Sequence, residues 1–469
     1  MPKQIIIIGG GISGLALLHY LKQKYAGRED IQILLLEKNE RLGGTVGSVI
    51  KDGCIFETGP NGFLDSKKRT LEFVKELNLE NCLVKASQES KIRYLSVHGA
   101  LHQLPSNPKS FLTFPLLNPL EKLRVLGEFF IPKRCDPRES VYDFGKRRLG
   151  EKFSMIFLDP MVSGIYGGDA RSANLKSVFP RIYSLEEEYG SLFKAMIKIR
   201  KARKAGGNGT SGDNAMGAPA GVLTSFQEGV MQMTEAIGKK YQEDVYLNHE
   251  IQTIAQIGNQ YTVIAQHGKQ YTADELFLCA PAYSAGMMLK NAHSRLSQSL
   301  TKINYAPMAV VGLVCPVDYF AEKPKGYGYL IPSLEQKEVL GVLFESNIFT
   351  GRCQERQMLF RVMIGGARYP DILKKTKEEL VGLALKEIEF LRGKSPAQDK
   401  TKGPRELFFM AWPKAIPQYN QNYSDLLKTI DEELQKNPNL HLVANYLKGV
   451  SLNDCIESAY QNAQSSRIA

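Results

Sequence analysis

Three glycines near the start of the chain have the spacing that lets a backbone hold a diphosphate group. Gly9, Gly11 and Gly14 fit the pattern G-x-G-x-x-G. The apolar run Ile5–Ile8 precedes them, and an apolar helical stripe follows at residues 15–21. The first glycine allows a tight turn, the second lets the backbone approach a pyrophosphate, and the third lets helix and strand pack closely. The stretch therefore predicts a dinucleotide site whose phosphates face the free N–H groups of a helix.

A carboxylate at the end of the next predicted strand adds to this prediction. The apolar run Ile31–Leu36 ends at Glu37, 23 residues after Gly14. At this distance along the chain, a carboxylate can accept hydrogen bonds from the ribose of an adenosine. The alternative is a glycine-rich turn in an unrelated α/β domain, and the acidic residue makes that interpretation the weaker one.

Two further loops of small residues favour a flavin over a nicotinamide. Arg41-Leu42-Gly43-Gly44 completes the pattern E-x(3)-R-x-G-G that begins at Glu37, and Gly59-Pro60-Asn61-Gly62 follows. The small residues allow a second close backbone approach to the pyrophosphate, and Arg41 adds charge. With these motifs the chain resembles the FAD-binding half of the flavin monoamine oxidase-like superfamily. We therefore expect FAD as the cofactor.

The end of the chain is expected to return to the nucleotide site, as it does in that superfamily. The run Leu440–Val443 predicts a strand, and residues 449–459 open the last helix. Ser451, Asn453 and Asp454 are all suitable N-cap residues for this helix. A helix N-terminus beside a flavin can stabilise the negative charge that builds up on the ring as it is reduced.

Several motifs narrow the resemblance to one branch of the superfamily. They are SGIYGGD at 163–169, FPR at 179–181, IPQY at 416–419 and GVSLNDCIESA at 449–459, together with ETGPNG and HGALHQLP. With them the chain resembles the protoporphyrinogen oxidase and coproporphyrinogen III oxidase family, from Ile5 to Glu457. The resemblance implies oxidation of a porphyrinogen to a porphyrin in haem biosynthesis. Six electrons would pass through the flavin to O2 in three rounds, giving three H2O2.

The resemblance also assigns residues to the cofactor. Those it places at FAD are Gly9, Gly11, Ile12, Ser13, Gly14, Glu37, Lys38, Arg41, Gly44, Thr45, Gly59, Pro60, Asn61, Gly62, Ile251, Val450, Ser451 and Leu452. Ile251 lies where this superfamily contacts adenine through its backbone. No residue stands out as an obligate acid or base, because the flavin carries the hard step. His98 and His102 are four residues apart, but the stretch 94–102 predicts a hairpin with a turn near Gly99, so the helical spacing of a metal site is lost and no metal site is expected.

For the substrate, the resemblance implies one cation and three apolar side chains. Arg93 lies where the family binds a propionate, and Leu330, Leu343 and Met363 lie where it sandwiches the macrocycle. The alternatives are a surface arginine and ordinary strand residues that pack the core. An apolar macrocycle with acidic side chains needs a wide hydrophobic cleft with a cation near its mouth.

Three departures from the family pattern restrict what can be transferred. Asn61 stands where relatives often have Arg, which removes a charge beside the flavin. Ala444 stands at a strand-to-loop position usually held by Gly. After Tyr419 the chain continues with residues 420–423, including Asn422 and Tyr423, and lacks the usual Gly-His. These departures leave the fold prediction unchanged, but the family's contacts near the C-terminal motif are not transferred to this chain.

The predicted fold is α/β combined with α+β. A discontinuous Rossmann-like FAD-binding domain would comprise 1–65, 222–283 and 425–469. A helical, inserted domain would span 86–210, and an α+β substrate domain would comprise 66–85 and 284–424. Within the latter, strand-like runs are seen at Ala309–Val314, Tyr327–Ile331, Val339–Phe344 and Met358–Met363. A glycine-rich linker is predicted at 206–212.

Charge and cysteine content bear on partners and location. The net charge is +11, which suits nucleic acid, anionic lipid or an acidic small molecule; no nucleic-acid-binding motif accompanies it, so nucleic acid is not expected as a partner. The basic stretch 192–204 interleaves apolar residues, so it predicts either peripheral membrane contact or a solvated helix face.

The seven cysteines are scattered and never form CxxC, which favours reduced thiols and a cytoplasmic location, including the inner face of the membrane. A homodimer is left open.

Other functions remain as alternatives. An amine oxidase or a carotenoid desaturase would use the same superfamily fold, although SGIYGGD speaks against both. A carrier that has lost its flavin is disfavoured by the intact glycine motifs. A membrane-surface scaffold would rest on the basic helix alone.

Overall fold

Two large sheets, one parallel and one mixed, organise the protein. The computed structural model describes residues 2–204, 221–393 and 403–468, and the predicted linker at 206–212 lies outside these ranges. The parallel sheet has five strands and the mixed sheet seven. The predicted combination of an α/β nucleotide-binding fold with an α+β part is thus confirmed.

The parallel sheet draws its strands from three separated stretches of the chain. In spatial order they are β10 (Val245–Tyr246), β2 (Ile31–Leu36), β1 (Lys3–Ile8), β14 (Glu275–Leu278) and β20 (Leu440–Leu442). Ile5 in β1 pairs with both Ile33 and Glu275. Since β2 and β14 lie on opposite sides of β1, the carboxyl end of β1 is a switch point, where ligands bind in this class of sheet.

The mixed sheet brings together distant parts of the chain. Its strands in order are β19 (Arg405–Pro417), β15 (Tyr305–Pro316), β18 (Gln357–Gly365), β17 (Val339–Phe344), β16 (Gly328–Leu330), β7 (Tyr94–Val97) and β8 (Ala100–Gln103). All neighbours are antiparallel except β16 and β7. The β7–β8 hairpin turns at His98 and Gly99, both with positive φ, which confirms the hairpin predicted there.

Three small sheets complete the strands. They are β3 (Ser48–Lys51) with β4 (Cys54–Glu57); β11 (Ile251–Ile257), β12 (Gln260–Ala265) and β13 (Gln270–Ala273); and β5 (Phe63–Leu64), β9 (Leu223–Phe226) and β6 (Leu83–Lys85). The segment expected to be helix-rich, 86–210, therefore contributes the β7–β8 hairpin to the mixed sheet. The division of the chain into three domains stays a prediction.

The helices fall mostly in the segments between the sheets. They are α1 (Ile12–Lys24), α2 (Lys68–Glu76), α3 (Pro108–Leu112), α4 (Pro119–Leu126), α5 (Val141–Leu149), α6 (Glu151–Phe153), α7 (Asp159–Tyr166), α8 (Leu175–Val178), α9 (Pro180–Tyr189), α10 (Leu192–Lys204), α11 (Met231–Lys240), α12 (Ala282–Met288), α13 (Ser294–Thr301), α14 (Glu345–Ile348), α15 (Lys377–Leu391), α16 (Tyr423–Lys436), α17 (Asn445–Lys448) and α18 (Leu452–Ser465). No helix in the described ranges is both long and apolar enough to cross a bilayer.

One cysteine pair corrects the expectation of reduced thiols throughout. Cys54 at the start of β4 forms a disulfide with Cys353, which precedes β18. The two residues are 299 positions apart in sequence, so only the fold brings them together. The other five cysteines are free thiols.

Candidate functional site

The three motif glycines differ in what makes each of them necessary. Gly9 has a φ of +112°, a conformation that side chains disfavour. A Cβ on Gly14 would overlap the carbonyl oxygen of Gly9. Gly11, in contrast, has an ordinary φ of −73°, and a Cβ there would meet no atom of the described residues within 4 Å. The protein itself does not require a glycine at position 11, so the open space fits a closely approaching ligand.

The helix that follows is ready to receive an anion. α1 begins at Ile12 with no acidic residue in its first turn, and no side chain of the described ranges caps its N–H groups. Unsatisfied N–H groups at a helix N-terminus form an anion site. Burial raises the pKa of the Cys455 thiol in α18 to about 11, and Ser13 in α1 opposes this rise; Ile12, Leu452 and Cys455 pack in one buried cluster. The N-terminal turns of α1 and α18 therefore lie side by side.

Glu37 lies just after β2, and its carboxylate accepts three hydrogen bonds from Gly10 and Asn39. Its Oε2 accepts a hydrogen bond from the Gly10 N–H at 2.6 Å. Its Oε1 accepts two from Asn39, from the backbone N–H at 2.9 Å and from the side chain at 2.6 Å. A carboxylate has about four acceptor positions, so one remains on Oε2 for a ribose hydroxyl. Lys38, beside it, is exposed.

The RLGG loop packs directly against the glycine-rich turn. The Gly43 N–H donates to the Gly10 carbonyl at 2.8 Å, and a Cβ on Gly44 would lie 3.3 Å from the Cα of Gly11. The guanidinium of Arg41 donates to the carbonyl oxygens of Leu42, Gly44 and Val46 at 2.9–3.2 Å. Arg41 therefore shapes the loop as well as adding charge to it.

The loop Gly59–Gly62 lies between the nucleotide-binding sheet and the mixed sheet. A Cβ on Gly59 would overlap the carbonyl oxygen of Thr45, and one on Gly62 would overlap that of Thr224. From the mixed sheet, Trp412 donates through Nε1 to the Thr58 carbonyl at 3.1 Å. Between Gly59 and Gly62 come Pro60 and Asn61, and neither amide atom of Asn61 has a hydrogen-bond partner among the described residues although both are buried.

The C-terminal motif forms a capped helix N-terminus. Of the three candidate N-cap residues, Ser451 is the N-cap of α18, in a capping box with Asp454. Asn453 instead accepts a hydrogen bond from Thr70 at 2.6 Å and donates to the Leu64 carbonyl at 3.1 Å. Val450 and Leu452 flank the cap. Separately, Ile251 begins β11 and pairs with Ala265.

The predicted substrate residues lie on one face of the mixed sheet. Leu330 and Met363 both pair with Gly341, and Leu343 pairs with Gly328. Paired residues of antiparallel strands share a face, as do residues two apart on one strand. The register therefore brings Leu330, Leu343 and Met363 together beside the side-chain-free position Gly341.

The SGIYGGD stretch covers part of this face. It supplies the end of α7 and the turn after it. A Cβ on Gly164 would lie 2.8 Å from Cδ2 of Leu330, and one on Gly167 would lie 2.8 Å from Cε of Met308. The small residues of this motif thus let α7 approach the sheet closely, which explains why they occur at these positions.

Arg93 stands at the edge of the same region. It is exposed immediately before β7, and its guanidinium lies 5.0 Å from the centre of the Tyr327 ring. It has no carboxylate partner in the part of the chain that the structure describes. Its charge is therefore available to an acidic ligand, at a position fixed by an aromatic ring.

Sequence reasoning missed four residues around the site. Trp412 and Arg361 connect the mixed sheet to residues 58 and 59 through hydrogen bonds. Tyr327 supports Arg93, and Glu345 is buried next to Arg361. A charged residue inside the apolar run 358–364 was the available signal for Arg361, because a buried charge in a strand needs a partner.

Comparison with known proteins decides the family. The model of the flavin-containing amine oxidoreductase family matches residues 12–465. The chain belongs to this family. It is an oxidoreductase, and its cofactor is FAD, which fits the open space at Gly11 and the uncapped helix α1.

Relatives of the chain within this family are named as porphyrinogen oxidases. The chain is 29% identical to protoporphyrinogen oxidase 1 of Spinacia oleracea, over 98% of this chain and 83% of that protein. It is 26% identical to coproporphyrinogen III oxidase of Bacillus subtilis, over 97% and 96%. A solved structure from Exiguobacterium sp. 255-15, provisionally named a protoporphyrinogen oxidase, shares the fold with a TM-score of 0.80 at 22% identity, covering 99% of this chain and 98% of that one.

Proposed function

We propose that the protein oxidises a porphyrinogen to the porphyrin in haem biosynthesis. The observation that carries this proposal is the common face of Leu330, Leu343 and Met363, with Arg93 at its edge, a cation that has no carboxylate partner among the described residues. This combination suits a flat apolar macrocycle with acidic side chains. The names of the relatives at 26–29% identity support the same substrate class.

The chain's own residues would hold the cofactor at the meeting point of the two sheets. Gly11 would leave room for the pyrophosphate, between the turn at Gly9 and the loop at Gly44, and Glu37 would accept from the ribose. Gly59–Gly62 and the N-terminal turn of α18 would contact the flavin. When bound, FAD supplies the hydride-accepting chemistry that no side chain here can supply.

The protein's part in the reaction is to bind and orient the macrocycle. The apolar face excludes water from the reacting carbon, while α7 limits how the macrocycle can lie. Arg93 would pair with a propionate at the edge, which fixes the rotation of the ring within the cleft. The expected oxidant is O2, with three H2O2 formed per porphyrin, and the substrate is coproporphyrinogen III or protoporphyrinogen IX.

A peripheral membrane contact is a second part of the proposal, and an exposed apolar surface supports it. Phe130 is 82% exposed and Leu120 is 76% exposed, with Leu123 and Leu126 also exposed nearby in sequence. Exposed large apolar side chains concentrated in one short segment suit a binding surface. We call these four residues the apolar patch.

The predicted basic helix, α10, adjoins the segment that carries Phe130. Buried Glu128 accepts hydrogen bonds from the N–H groups of Leu192 and Phe193, and it pairs with buried Arg148 at 2.7 Å. Lys194 lies 4.9 Å from the centre of the Phe129 ring. Exposed Lys198, Arg200 and Lys201 continue along the helix. Apolar side chains beside a basic helix suit an anionic lipid surface.

The experiment that tests the proposed reaction is direct. Purified yellow protein is mixed with anaerobically prepared porphyrinogen, oxygen is admitted, and porphyrin fluorescence is followed. Fluorescence formed faster than in the absence of protein supports the proposal. If the yellow protein is inert toward both porphyrinogens but oxidises an amine, the proposed reaction is wrong and the protein is an amine oxidase.

A further inference from the structure

Four buried charged side chains lie between the Gly59–Gly62 loop and the mixed sheet. We call Glu57, Glu345, Arg352 and Arg361 the charge quartet. Each is less than a tenth exposed. Buried charges are costly unless they are paired, and with both glutamates ionised the two carboxylates would balance the two guanidinium groups.

One half of the charge quartet is closely paired, although Nη1 of Arg352 has no hydrogen-bond partner among the described residues. Arg352 lies with Nη2 3.0 Å from Oε1 of Glu57, and donates to the Ser225 hydroxyl at 2.7 Å. Glu57 also accepts hydrogen bonds from the Ser48 hydroxyl at 2.6 Å and from the Val230 N–H at 3.0 Å. This half serves as a structural pair that joins β4 to the segment before β18.

The other half is looser and lies nearer to the site. Nη1 of Arg361 is 4.0 Å from Oε1 of Glu345, and neither that oxygen nor Nε of Arg361 has a hydrogen-bond partner among the described residues. Nη2 of Arg361 donates to the Gly59 carbonyl. Arg361 pairs with Leu343 across the strands, so its side chain shares the face of the predicted substrate residues.

The surroundings of Glu345 contain further groups of the site. Burial raises the pKa of Glu345, while the charges of Arg361 and Arg352 and the amide of Asn61 oppose this rise. The pKa of Tyr327 is raised chiefly by burial; the charge of Glu345 raises it further, whereas the amide of Asn61 lowers it. The Tyr327 ring in turn lies beside the guanidinium of Arg93. Glu345 thus lies among groups from the cofactor loop and from the substrate face.

We propose that Glu345 is a positioning residue that sets the electrostatic potential at the flavin by balancing the charge of Arg361. Arg361 is fixed to the Gly59 carbonyl, and in a buried setting one uncompensated charge acts over several ångströms. The inference rests on the proposed contact between Gly59–Gly62 and the flavin. It does not depend on which substrate is oxidised.

The test uses sulfite, an anion that adds to oxidised flavin, on the purified holoprotein. Glu345→Gln leaves a net positive charge, so the sulfite Kd should fall about tenfold. Arg361→Gln leaves a net negative charge, so the sulfite Kd should rise by a similar factor. The double variant is neutral again and should return to within about threefold of the wild type. The midpoint potential of the flavin, measured alongside, should rise in the first variant and fall in the second.

Controls separate the charge effect from general disturbance. Asp371→Asn changes one charge at an exposed loop position, with 74% of its side chain exposed, and should leave both readouts unchanged. If both single variants shift the Kd in the same direction, or neither shifts it, the proposal is overturned. If Arg361→Gln does not retain FAD, the sulfite Kd of Glu345→Gln is compared with that of the double variant. The proposal predicts the lower Kd for Glu345→Gln, and the opposite order overturns it. Since no porphyrinogen is used, failure of the proposed reaction leaves this result unaffected.

Discussion

A Cβ on Gly14 would overlap the carbonyl oxygen of Gly9, whereas a Cβ on Gly11 would meet nothing within 4 Å in the part of the chain that the structure describes. The two glycines therefore serve different purposes. Gly14 is required by the packing of α1 on β1. Gly11 is required only by whatever approaches the turn from outside, which we take to be the pyrophosphate of FAD.

This difference predicts opposite results for two substitutions. Gly11→Val should abolish FAD binding. The free energy of unfolding of its apoprotein should lie within about 1 kcal/mol of the wild-type value, since there is room for a side chain at this N-cap position. Gly14→Ala should destabilise the apoprotein itself by about 3 kcal/mol, because it forces backbone atoms apart. Flavin absorbance and urea unfolding of both apoproteins measure the two effects. A yellow Gly11→Val protein would contradict the cofactor site.

Arg93→Ala should raise KM for the porphyrinogen about tenfold or more, because a charge-assisted pair with a propionate is lost. The value of kcat should change much less, since the pair is present in both the ground state and the transition state. Lys91→Ala, at an exposed position two residues earlier, is the matched control. If both variants show the same small change in KM, Arg93 is not the propionate anchor.

The apolar patch should bind vesicles that contain anionic lipid. Phe130→Glu combined with Leu120→Glu should reduce co-sedimentation with such vesicles about tenfold or more, and added salt should weaken the wild-type binding. Ile257→Glu is the control, because Ile257 is 71% exposed but lies on β11 in another sheet. Binding that survives the double substitution would remove the apolar patch from the proposal.

His19 should make the stability of the protein depend on pH. It is buried in α1, with Nε2 2.8 Å from Glu76 and Nδ1 2.9 Å from the Tyr241 hydroxyl. Because Glu76 can only accept, the proton lies on Nε2 and Tyr241 donates to Nδ1. Burial lowers the pKa of His19, with the Glu76 hydrogen bond opposing it. The native state therefore binds fewer protons than the unfolded state below about pH 6.5, and stability falls as the pH falls.

Urea unfolding between pH 7.5 and 5 measures this dependence. His19→Gln should be less stable at pH 7.5 but should lose less stability on acidification than the wild type. Some slope should remain, because burial also lowers the pKa of His293. His98→Gln, at the exposed turn between β7 and β8, should keep the wild-type slope. An unchanged slope in His19→Gln would show that another group dominates.

Local patterns account for what the sequence predicted well. The run Val339–Phe344 was predicted as a strand and forms β17 with the same bounds, because six apolar residues between polar ones suit a buried strand. The glycine turn and the hairpin at His98-Gly99 were predicted for the same reason, since their conformations depend on neighbouring residues. The N-cap Ser451 was one of three candidates, and only the structure distinguishes it from Asn453.

What was missed depends on residues far apart in sequence. The parallel pairing of β7 with β16 joins Leu95 to Leu330, and no local pattern encodes such a partner. The same holds for the disulfide between Cys54 and Cys353. The charge quartet was missed because each charged residue, taken alone, resembles a surface residue until the fold shows that it is buried.

The most direct test of the account is the rate of porphyrin formation by the yellow holoprotein. Anaerobic coproporphyrinogen III and protoporphyrinogen IX are each mixed with the protein, and fluorescence is recorded after oxygen is admitted, with Gly11→Val as the flavin-free control. We predict porphyrin formation with at least one substrate, none above background with the control, and a ratio of kcat/KM that identifies the physiological porphyrinogen. A yellow protein that oxidises neither would contradict the account.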